Sequence, residues 1–342
     1  MTAPRPPVTV LTGFLGAGKT TLLNRLVRDP ALARAAVLVN EIGAIAIDHH
    51  LIGEVRGDVR ILASGCVCCT VGGDLVRALV ELHAQVEAGA LAPFERVVLE
   101  TTGLADPIGV LATLAQHPRL ARSYQPGAVV TVVDAADGAA TLARHREARA
   151  QVALADRVAL SKRDLADADA ATATEAAVRE LNPGAPLLDA ATADATALVD
   201  VAATDDAVAL ARWLRGATAR PLLAAPTPVH ADVVTATACF DAPLRLGPLA
   251  LWLTLITGLH GGQLLRVKGL VAVEGQATPS VVHAVGHVVY PPRALAAWPD
   301  DDHRTRLVFI ARGMSAAMLR SLVDNLADTL NQSQSKGPTR TA

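Results

Sequence analysis

Short runs of aliphatic and β-branched residues recur along the first part of the chain, separated by longer segments with helical apolar spacing. Runs of this length that end in polar or glycine residues are typical of strands buried on both faces of a parallel sheet. The predicted strands cover residues 8–12, 36–39, 59–62, 96–100, 129–133 and 157–160. The intervening segments, of which residues 73–87 form the clearest helix, would cover both faces. The pattern therefore predicts an α/β fold with a mostly parallel sheet flanked by helices.

The pattern changes after a stretch punctuated by Pro221, Pro226 and Pro228. Beyond it, strands and helices are grouped rather than alternating, which favours an antiparallel sheet in a smaller α+β domain. Strands are predicted over residues 232–240, 264–274, 280–290 and 306–311, and helices over 246–257 and 315–330. We therefore expect an α/β domain over residues 1–220, an α+β domain over 221–330 and a disordered polar tail over 331–342.

A phosphate-binding loop is predicted between the first strand and the first helix. The sequence GFLGAGKT over residues 13–20 fits the G-x-x-x-x-G-K-[ST] pattern, whose glycines let backbone N–H groups surround a polyphosphate. Lys19 would reach the β- and γ-phosphates, and the Thr20 hydroxyl would bind Mg²⁺. The first domain is therefore expected to be a P-loop NTPase. The residues expected to bind the nucleotide here are Gly13, Gly16, Ala17, Gly18, Lys19, Thr20 and Thr21.

A second nucleotide-contacting element is predicted after the strand at residues 157–160. In the sequence Ser161-Lys162-Arg163-Asp164, the Asp164 carboxylate can accept from both N1–H and the exocyclic amine of guanine, whereas adenine offers an acceptor at N1. Lys162, one of only four lysines in the chain, would lay its aliphatic stem across the base. Ser161 is shorter than the Asn of the better-known form and is expected to tether the phosphate loop less firmly. The alternative is a solvated strand end with an incidental Lys and Asp.

Acidic residues at strand ends are the candidates for catalysis. Glu100 ends an apolar strand, where phosphate-loop enzymes place a carboxylate near Mg²⁺ or the attacking water. Asp134, at the end of the next strand, is a weaker candidate for catalysis than Glu100, because a structural role in capping the following turn is about as well supported. Glu41, after the strand at residues 36–39, is a further candidate for the acid that acts with Lys19 and Thr20.

Three of the four cysteines, Cys66, Cys68 and Cys69, are crowded into one loop. Thiolates at this spacing suit Zn²⁺, Co²⁺ or Cu(I) and leave a fourth position for water, Glu41 or a partner protein. His49 and His50 could also bind a metal, but a solvated loop is the favoured interpretation of these two residues. Buried thiols or a redox pair are the alternatives to metal binding. Cys239 lies in an apolar strand and is expected in the core.

Composition and charge narrow the classes of partner. A net charge of −2 gives no basic surface for a polyanion, so we expect no nucleic-acid partner. No apolar run is long enough to span a bilayer and the N-terminus has no signal-peptide pattern, so we expect a cytoplasmic protein without a membrane partner. The sequence makes no prediction of the oligomeric state.

The motifs described above, together with the segments 40–43 and 100–107, resemble those of CobW-type GTPases and occur in the same order. The second half is similar to that family's C-terminal domain through His230 and residues 265–269 and 306–310. The resemblance implies a GTP-dependent metallochaperone that hydrolyses GTP to GDP slowly and delivers a metal to a client apoprotein. The metal is commonly zinc, and cobalt-directed relatives serve cobalamin synthesis and nitrile hydratase activation.

The chain departs from that family at two places. Ala44 stands where many members have a second acid, and the histidine-rich tract of many members is absent. Two alternatives come from other functional classes. One is a small-molecule kinase or ATPase with an incidental zinc; the other is a regulatory module that uses nucleotide only to control a partner surface.

Overall fold

A computed structural model describes residues 5–39, 60–63, 73–199, 210, 211, 214 and 233–335. The chain divides into two compact units, Met1–Asp205 and Asp206–Ala342. The domain boundary predicted at residue 220 and residues 336–342 of the predicted tail lie outside the described residues. Within those described ranges, no helix is long and apolar enough to cross a membrane.

The first unit is built on a seven-stranded sheet with the order β3-β2-β4-β1-β5-β6-β7, in which every pair is parallel. Its strands are β1 (Pro7–Gly13), β2 (Ala35–Val39), β3 (Arg60–Ala63), β4 (Arg96–Glu100), β5 (Gln125–Asp134), β6 (Arg157–Ser161) and β7 (Leu187–Asp189). The sheet confirms the predicted parallel α/β architecture. Strand β7 was not predicted, because three half-buried residues after a proline give too short a pattern.

Eight helices and one 3₁₀ turn (Pro30–Leu32) belong to the described part of this unit. They are α1 (Lys19–Leu26), α2 (Gly73–Glu87), α3 (Pro107–Gln116), α4 (Pro118–Ser123), α5 (Gly138–Arg144), α6 (Arg146–Leu154), α7 (Ala168–Leu181) and α8 (Ala195–Val199). Helix α3 starts with Asp106 accepting from the Ile108 N–H and proline in its first turn. The core between sheet and helices is almost wholly leucine, valine and alanine, as the scarcity of aromatic residues requires.

Strand β1 lies in the middle of the sheet, between β4 and β5. In the register, Leu11 is opposite Glu100 on one side and Val130 on the other, and Asp134 at the end of β5 is opposite Ser161 of β6. Because parallel strands all end at one edge, the loops after β1, β4, β5 and β6 are neighbours. This edge is where the predicted nucleotide-contacting residues meet.

The second unit is a six-stranded antiparallel sheet with two long helices, which confirms the predicted α+β class. Its elements are β8 (Val233–Phe240), α9 (Leu246–His260), β9 (Leu264–Val271), β10 (Ser280–Val285), β11 (Val288–Val289), β12 (Arg293–Ala294), β13 (Thr305–Arg312) and α10 (Ala316–Ser335). Helix α10 extends to Ser335, past residue 331, where the tail was predicted to begin.

Cys239 is exposed, so the prediction that it lies in the core was wrong. On β8 the buried residues are Val234, Ala236 and Ala238, which face the core of this unit. Since successive side chains of a strand point to opposite faces, Cys239 points away from that core. The prediction recognised β8 as an apolar strand, but it missed the alternation of buried and exposed side chains along it.

Candidate functional site

The glycine-rich turn after β1 has the backbone that its sequence demands. Gly16 and Gly18 have φ angles of 73° and 88°, in the left-handed region that favours glycine. At Gly13, a Cβ atom would lie 2.4 Å from the carbonyl oxygen of Val132 on the adjacent strand, so no larger residue fits. The turn leads directly into α1, whose first residues are Lys19 and Thr20. A helix N-terminus behind such a turn is a binding place for phosphate groups.

Two side chains of the first turn of α1 contact the phosphate loop and the end of β4. Lys19, which is largely buried, donates from Nζ to the carbonyl oxygen of Phe14 at 3.1 Å. Thr20 Oγ1 donates to Oε1 of Glu100 at 2.7 Å, although the two residues are 80 positions apart. Glu100 is itself buried, with 4% of its surface exposed. A hydroxyl and a buried carboxylate in contact form an oxygen pair suited to a hard cation such as Mg²⁺.

The loop after β4 packs directly on the phosphate loop. A Cβ atom at Gly103 would lie 2.6 Å from the backbone nitrogen of Leu15, so the two backbones touch there. Thr101 Oγ1 donates to Oγ1 of Thr12 at 2.9 Å. On the other side, the fully buried Gln151 of α6 donates from Nε2 to the carbonyl oxygens of Gly103 and Ala105, each at 3.1 Å.

The loop after β6 is tied to the same edge by Ser161. Its Oγ lies 2.6 Å from the carbonyl oxygen of Ala17, to which it donates, and 3.3 Å from that of Val133. Sequence reasoning expected a weaker tether from the short side chain. The close approach of β6 to the loop lets the hydroxyl reach the phosphate loop directly.

Lys162 is held by Asp134, an acid whose role, catalytic or structural, the sequence left open. Its Nζ donates to Oδ2 of Asp134 at 2.6 Å, while Oδ1 of Asp134 accepts from the backbone N–H groups of Ala136 and Asp137. Burial is the largest influence on the pKa of Asp134 and would raise it, but the Lys162 ammonium and the two N–H groups together lower the pKa below its ordinary value. Asp134 is therefore ionised and caps a turn.

Asp164 is exposed, and within the described ranges no hydrogen bond or ion pair engages its carboxylate. Its neighbour Arg163 instead pairs with Glu175 of α7, which also pairs with Arg179. The carboxylate of Asp164 is thus open to a ligand at the same edge as Lys162.

A pocket of about 220 Å³ lies between the phosphate loop, the end of β5 and helices α5 and α6. Its wall includes Phe14, whose ring stacks on His145 with centroids 4.3 Å apart. Asp134, Gln151 and Lys162 are among the polar residues that line it. The pocket has the mixed apolar and polar lining that small-molecule sites have.

Several predicted site residues fall outside the described residues. They are Glu41, His49, His50, Cys66, Cys68 and Cys69. Among the residues that the structure does describe, no group of three or more His, Cys, Asp or Glu side chains could hold a metal ion.

Sequence reasoning missed Gln151 and the pairing of Lys162 with Asp134. Gln151 stands among the apolar residues 150–154 at the end of α6, and an amide in such a run is a signal of a buried polar group that requires partners. The pairing has no such signal, because Asp134 and Lys162 are brought together only by the neighbouring positions of β5 and β6.

The central strand, the glycine-rich turn and the lysine and threonine behind it define a phosphate-loop NTPase. Residues 7–189 match the family model described as "CobW/HypB/UreG, nucleotide-binding domain", and residues 233–327 match "Cobalamin synthesis protein cobW C-terminal domain". The chain belongs to the CobW/HypB/UreG family and carries the CobW C-terminal domain.

Relatives resemble it over much of its length. The chain is 28% identical over 303 residues to "Zinc chaperone YjiA" of Escherichia coli, an alignment covering 89% of this chain and 93% of that protein. It is 34% identical over 215 residues to "Zinc chaperone CobW" of Pseudomonas aeruginosa, covering 54% and 56% of the two chains. The crystal structure of Zn(II)-bound YjiA GTPase from E. coli superposes with a TM-score of 0.68 at 23% identity, covering 94% of this chain and 99% of that one. The superposition establishes the shared fold.

Proposed function

We propose that this protein binds GTP with Mg²⁺, hydrolyses it slowly to GDP, and uses that cycle to control a transition metal that it delivers to a client apoprotein. The observation that carries the nucleotide half is the contact between Thr20 and Glu100 at the mouth of the glycine-rich turn. A hydroxyl at the start of the helix and a buried carboxylate across the gap are the two protein oxygens that a phosphate-loop enzyme offers near Mg²⁺.

In the proposed reaction, the chain's own groups bind and orient the triphosphate. The N–H groups of residues 13–20 and the Lys19 ammonium bind the β- and γ-phosphates, and Lys19 exchanges the Phe14 carbonyl for phosphate oxygens. Thr20 and Glu100 would hold Mg²⁺ directly or through water; the ion supplies charge neutralisation on the phosphates. Either Glu100 or Glu41 orients the attacking water. Comparing the GTP hydrolysis rates of Glu100→Gln and Glu41→Gln identifies which.

Guanine specificity is the second part of the proposal. Asp164 is exposed and not engaged by the described part of the protein, so both its oxygens can accept from N1–H and the exocyclic amine of guanine. Lys162 is fixed by Asp134, which supports a defined course of its stem beside the base. Equal affinity for ATP and GTP, unchanged in Asp164→Ala, would instead favour an ATPase or small-molecule kinase.

The metal half of the proposal rests on residues outside the described ranges. Cys66, Cys68 and Cys69 would bind the metal as cargo, with the fourth position open to water, Glu41 or a client. The relatives named zinc chaperones support zinc, and cobalt is the alternative cargo. Residues 40–48 would link the two halves, because a segment that senses the γ-phosphate can change its order on hydrolysis.

The proposal is tested by titrating zinc into the reduced protein with Mg²⁺·GDP and with Mg²⁺ and a non-hydrolysable GTP analogue. Coupling predicts different zinc affinities in the two nucleotide states, and Cys66→Ala should abolish tight binding in both. Identical affinities would refute the coupling. Zinc binding that survives Cys66→Ala would refute the assignment of the cysteine loop.

A further inference from the structure

The side-chain amide of Gln151, on α6, donates its hydrogen bonds to the loop after β4 and not to its own helix. Gln151 is fully buried on α6, and its two Nε2 hydrogens go to the carbonyl oxygens of Gly103 and Ala105, each at 3.1 Å. Both acceptors belong to the segment of residues 101–106, which follows Glu100. The side chain therefore fixes two peptide planes of that segment against α6.

This amide is held in one orientation at a cost in free energy. Its Oε1 is buried and, in the part of the chain that the structure describes, has no donor. Rotation of the amide by a half turn would face Oε1 to two carbonyl oxygens, so only the observed orientation is compatible with the segment. A buried acceptor without a partner is unfavourable. A side chain selected only to fill the core would be apolar here.

The segment that Gln151 fixes also forms one wall of the phosphate site. Gly103 lies against the backbone of Leu15 so closely that a Cβ atom there would be 2.6 Å from the Leu15 nitrogen. Thr101 bonds to Thr12 at the base of the phosphate loop. Leu104, between the two fixed carbonyls, is 57% exposed, so without Gln151 the segment can turn its carbonyl groups to water. Such a displacement would move the wall of the site rather than unfold the unit.

We propose that Gln151 is a positioning residue for GTP hydrolysis, because its two hydrogen bonds hold residues 101–106 against the phosphate loop. The inference rests on the proposed GTPase activity. It acts on the reaction through the position of the segment and not through contact with the nucleotide. Since small displacements of reacting groups reduce rates steeply, loss of these bonds should lower kcat about tenfold or more. GDP affinity depends, in the proposed function, on the phosphate loop and on Lys162 and Asp164 after β6, and should stay within about twofold.

The chain offers a matched control in Asn182, which directly follows α7 and contacts the C-terminal end of α6. Asn182 is also fully buried and donates from Nδ2 to the carbonyl oxygens of Val152 and Ala155 at 2.9 and 2.8 Å. Asn182→Leu removes the same kind of bonds from α6 without touching residues 101–106. We therefore compare Gln151→Met and Asn182→Leu in the full chain for kcat, KM, GDP affinity and thermal midpoint.

The expected result is a loss of kcat in Gln151→Met and an unchanged kcat in Asn182→Leu, whatever their thermal midpoints. Equal losses in both, or none in Gln151→Met, would overturn the inference. Gln151→Glu gives an independent readout. Burial and the two facing carbonyl oxygens raise the pKa of the introduced carboxyl, which has one O–H to donate while protonated and none once ionised. Measured over about pH 5–10, the kcat of this variant relative to the unmodified protein should therefore fall as the pH is raised through that pKa. A flat ratio would contradict the proposal.

Hydrogen exchange separates this inference from the proposed function. The Ala105 N–H, which bonds to the Thr102 carbonyl, should exchange faster in Gln151→Met than in Asn182→Leu, whether or not the protein hydrolyses GTP. Absence of GTP hydrolysis in the unmodified protein refutes the proposed function alone. Unchanged exchange at Ala105 refutes the role of Gln151 alone.

Discussion

The Nζ atom of Lys162 lies 2.6 Å from Oδ2 of Asp134. Lys162 is also the one non-glycine residue in the described ranges with a positive φ, 54°, in the left-handed region that is unfavourable for a side chain bearing a Cβ. The ion pair thus tethers the side chain of the residue at which the loop after β6 adopts this conformation. Strain of this kind persists only where neighbouring contacts impose it.

Replacing Asp134 should change the free energy of unfolding of the protein in a pH-dependent way. The pKa of Asp134 is lowered in the folded protein, so its contribution is complete above its ordinary pKa and is lost as the pH falls through the folded-state value. We expect Asp134→Asn to lower the free energy of unfolding by about 1 kcal/mol near neutral pH, since Lys162 is partly exposed. The difference should shrink below about pH 4. Urea unfolding between about pH 7 and 3 measures it.

The neighbouring exposed carboxylate of Asp137 provides the control. Asp137→Asn should leave the free energy of unfolding within about 0.5 kcal/mol over the same range. A pH-independent deficit in Asp134→Asn would mean that the ionised carboxylate contributes nothing through Lys162.

Asp164 determines the preferred base in our proposal. Asp164→Asn replaces one acceptor oxygen by a donor, which opposes the exocyclic amine of guanine and matches the carbonyl that xanthine has there. GTP affinity should fall about 100-fold or more, and XTP affinity should rise in the same variant. Competition binding against labelled GDP measures both. Asp169→Asn, an exposed acid on α7, should change neither; unaltered GTP affinity in Asp164→Asn would show that the base lies elsewhere.

Removal of the charge at Glu100 should weaken the binding of Mg²⁺ and leave the fold intact. Glu100→Gln keeps an oxygen that can accept from Thr20 but loses the negative charge beside the proposed ion. We expect the Mg²⁺ concentration for half-maximal GTP hydrolysis to rise about tenfold. Glu95→Gln removes an exposed carboxylate paired with Arg34 and should leave the Mg²⁺ titration unchanged. A superimposable Mg²⁺ titration of Glu100→Gln would remove Glu100 from the proposed ion site.

The cysteine loop can be tested against a thiol of the same protein. Cys66→Ser should lower zinc affinity about 100-fold or more, because a hydroxyl is a far poorer ligand for Zn²⁺ than a thiolate. Cys239 is exposed, and burial of part of its surface raises the pKa of its thiol, which disfavours metal binding. Cys239→Ser should therefore retain full zinc stoichiometry in a competition titration with a chromophoric chelator. The reverse order of effects would place the metal at Cys239.

The sequence predicted the sheet well because its strands are short apolar runs with clear ends. Strand β4 and helix α2 have the same bounds in the structure as in the prediction. Strand β10 is shorter than predicted, because a turn at Gly286 with φ 54° separates it from β11. An apolar run alone does not reveal where a hairpin turns inside it.

The site was predictable only where its residues are adjacent in sequence. Residues 13–20 form one continuous motif, so their role could be read directly. The contacts of Gln151 with the loop after β4 and of Asp134 with Lys162 depend on which helix and which strand become neighbours, and one sequence does not specify those distances. Periodicity identifies that a residue is buried, but not the group that it meets.

The hydrogen bond between Ser161 and Ala17 has a consequence for biosynthesis. It joins residues 144 positions apart, and β5 lies between β1 and β6 in the sheet. During translation, a nascent chain that has exposed β1 and α1 but not β6 therefore possesses the complete phosphate-loop sequence without its final support. Such a chain should bind nucleotide poorly until β6 has emerged from the ribosome and docked, so the phosphate loop is translated first and completed late.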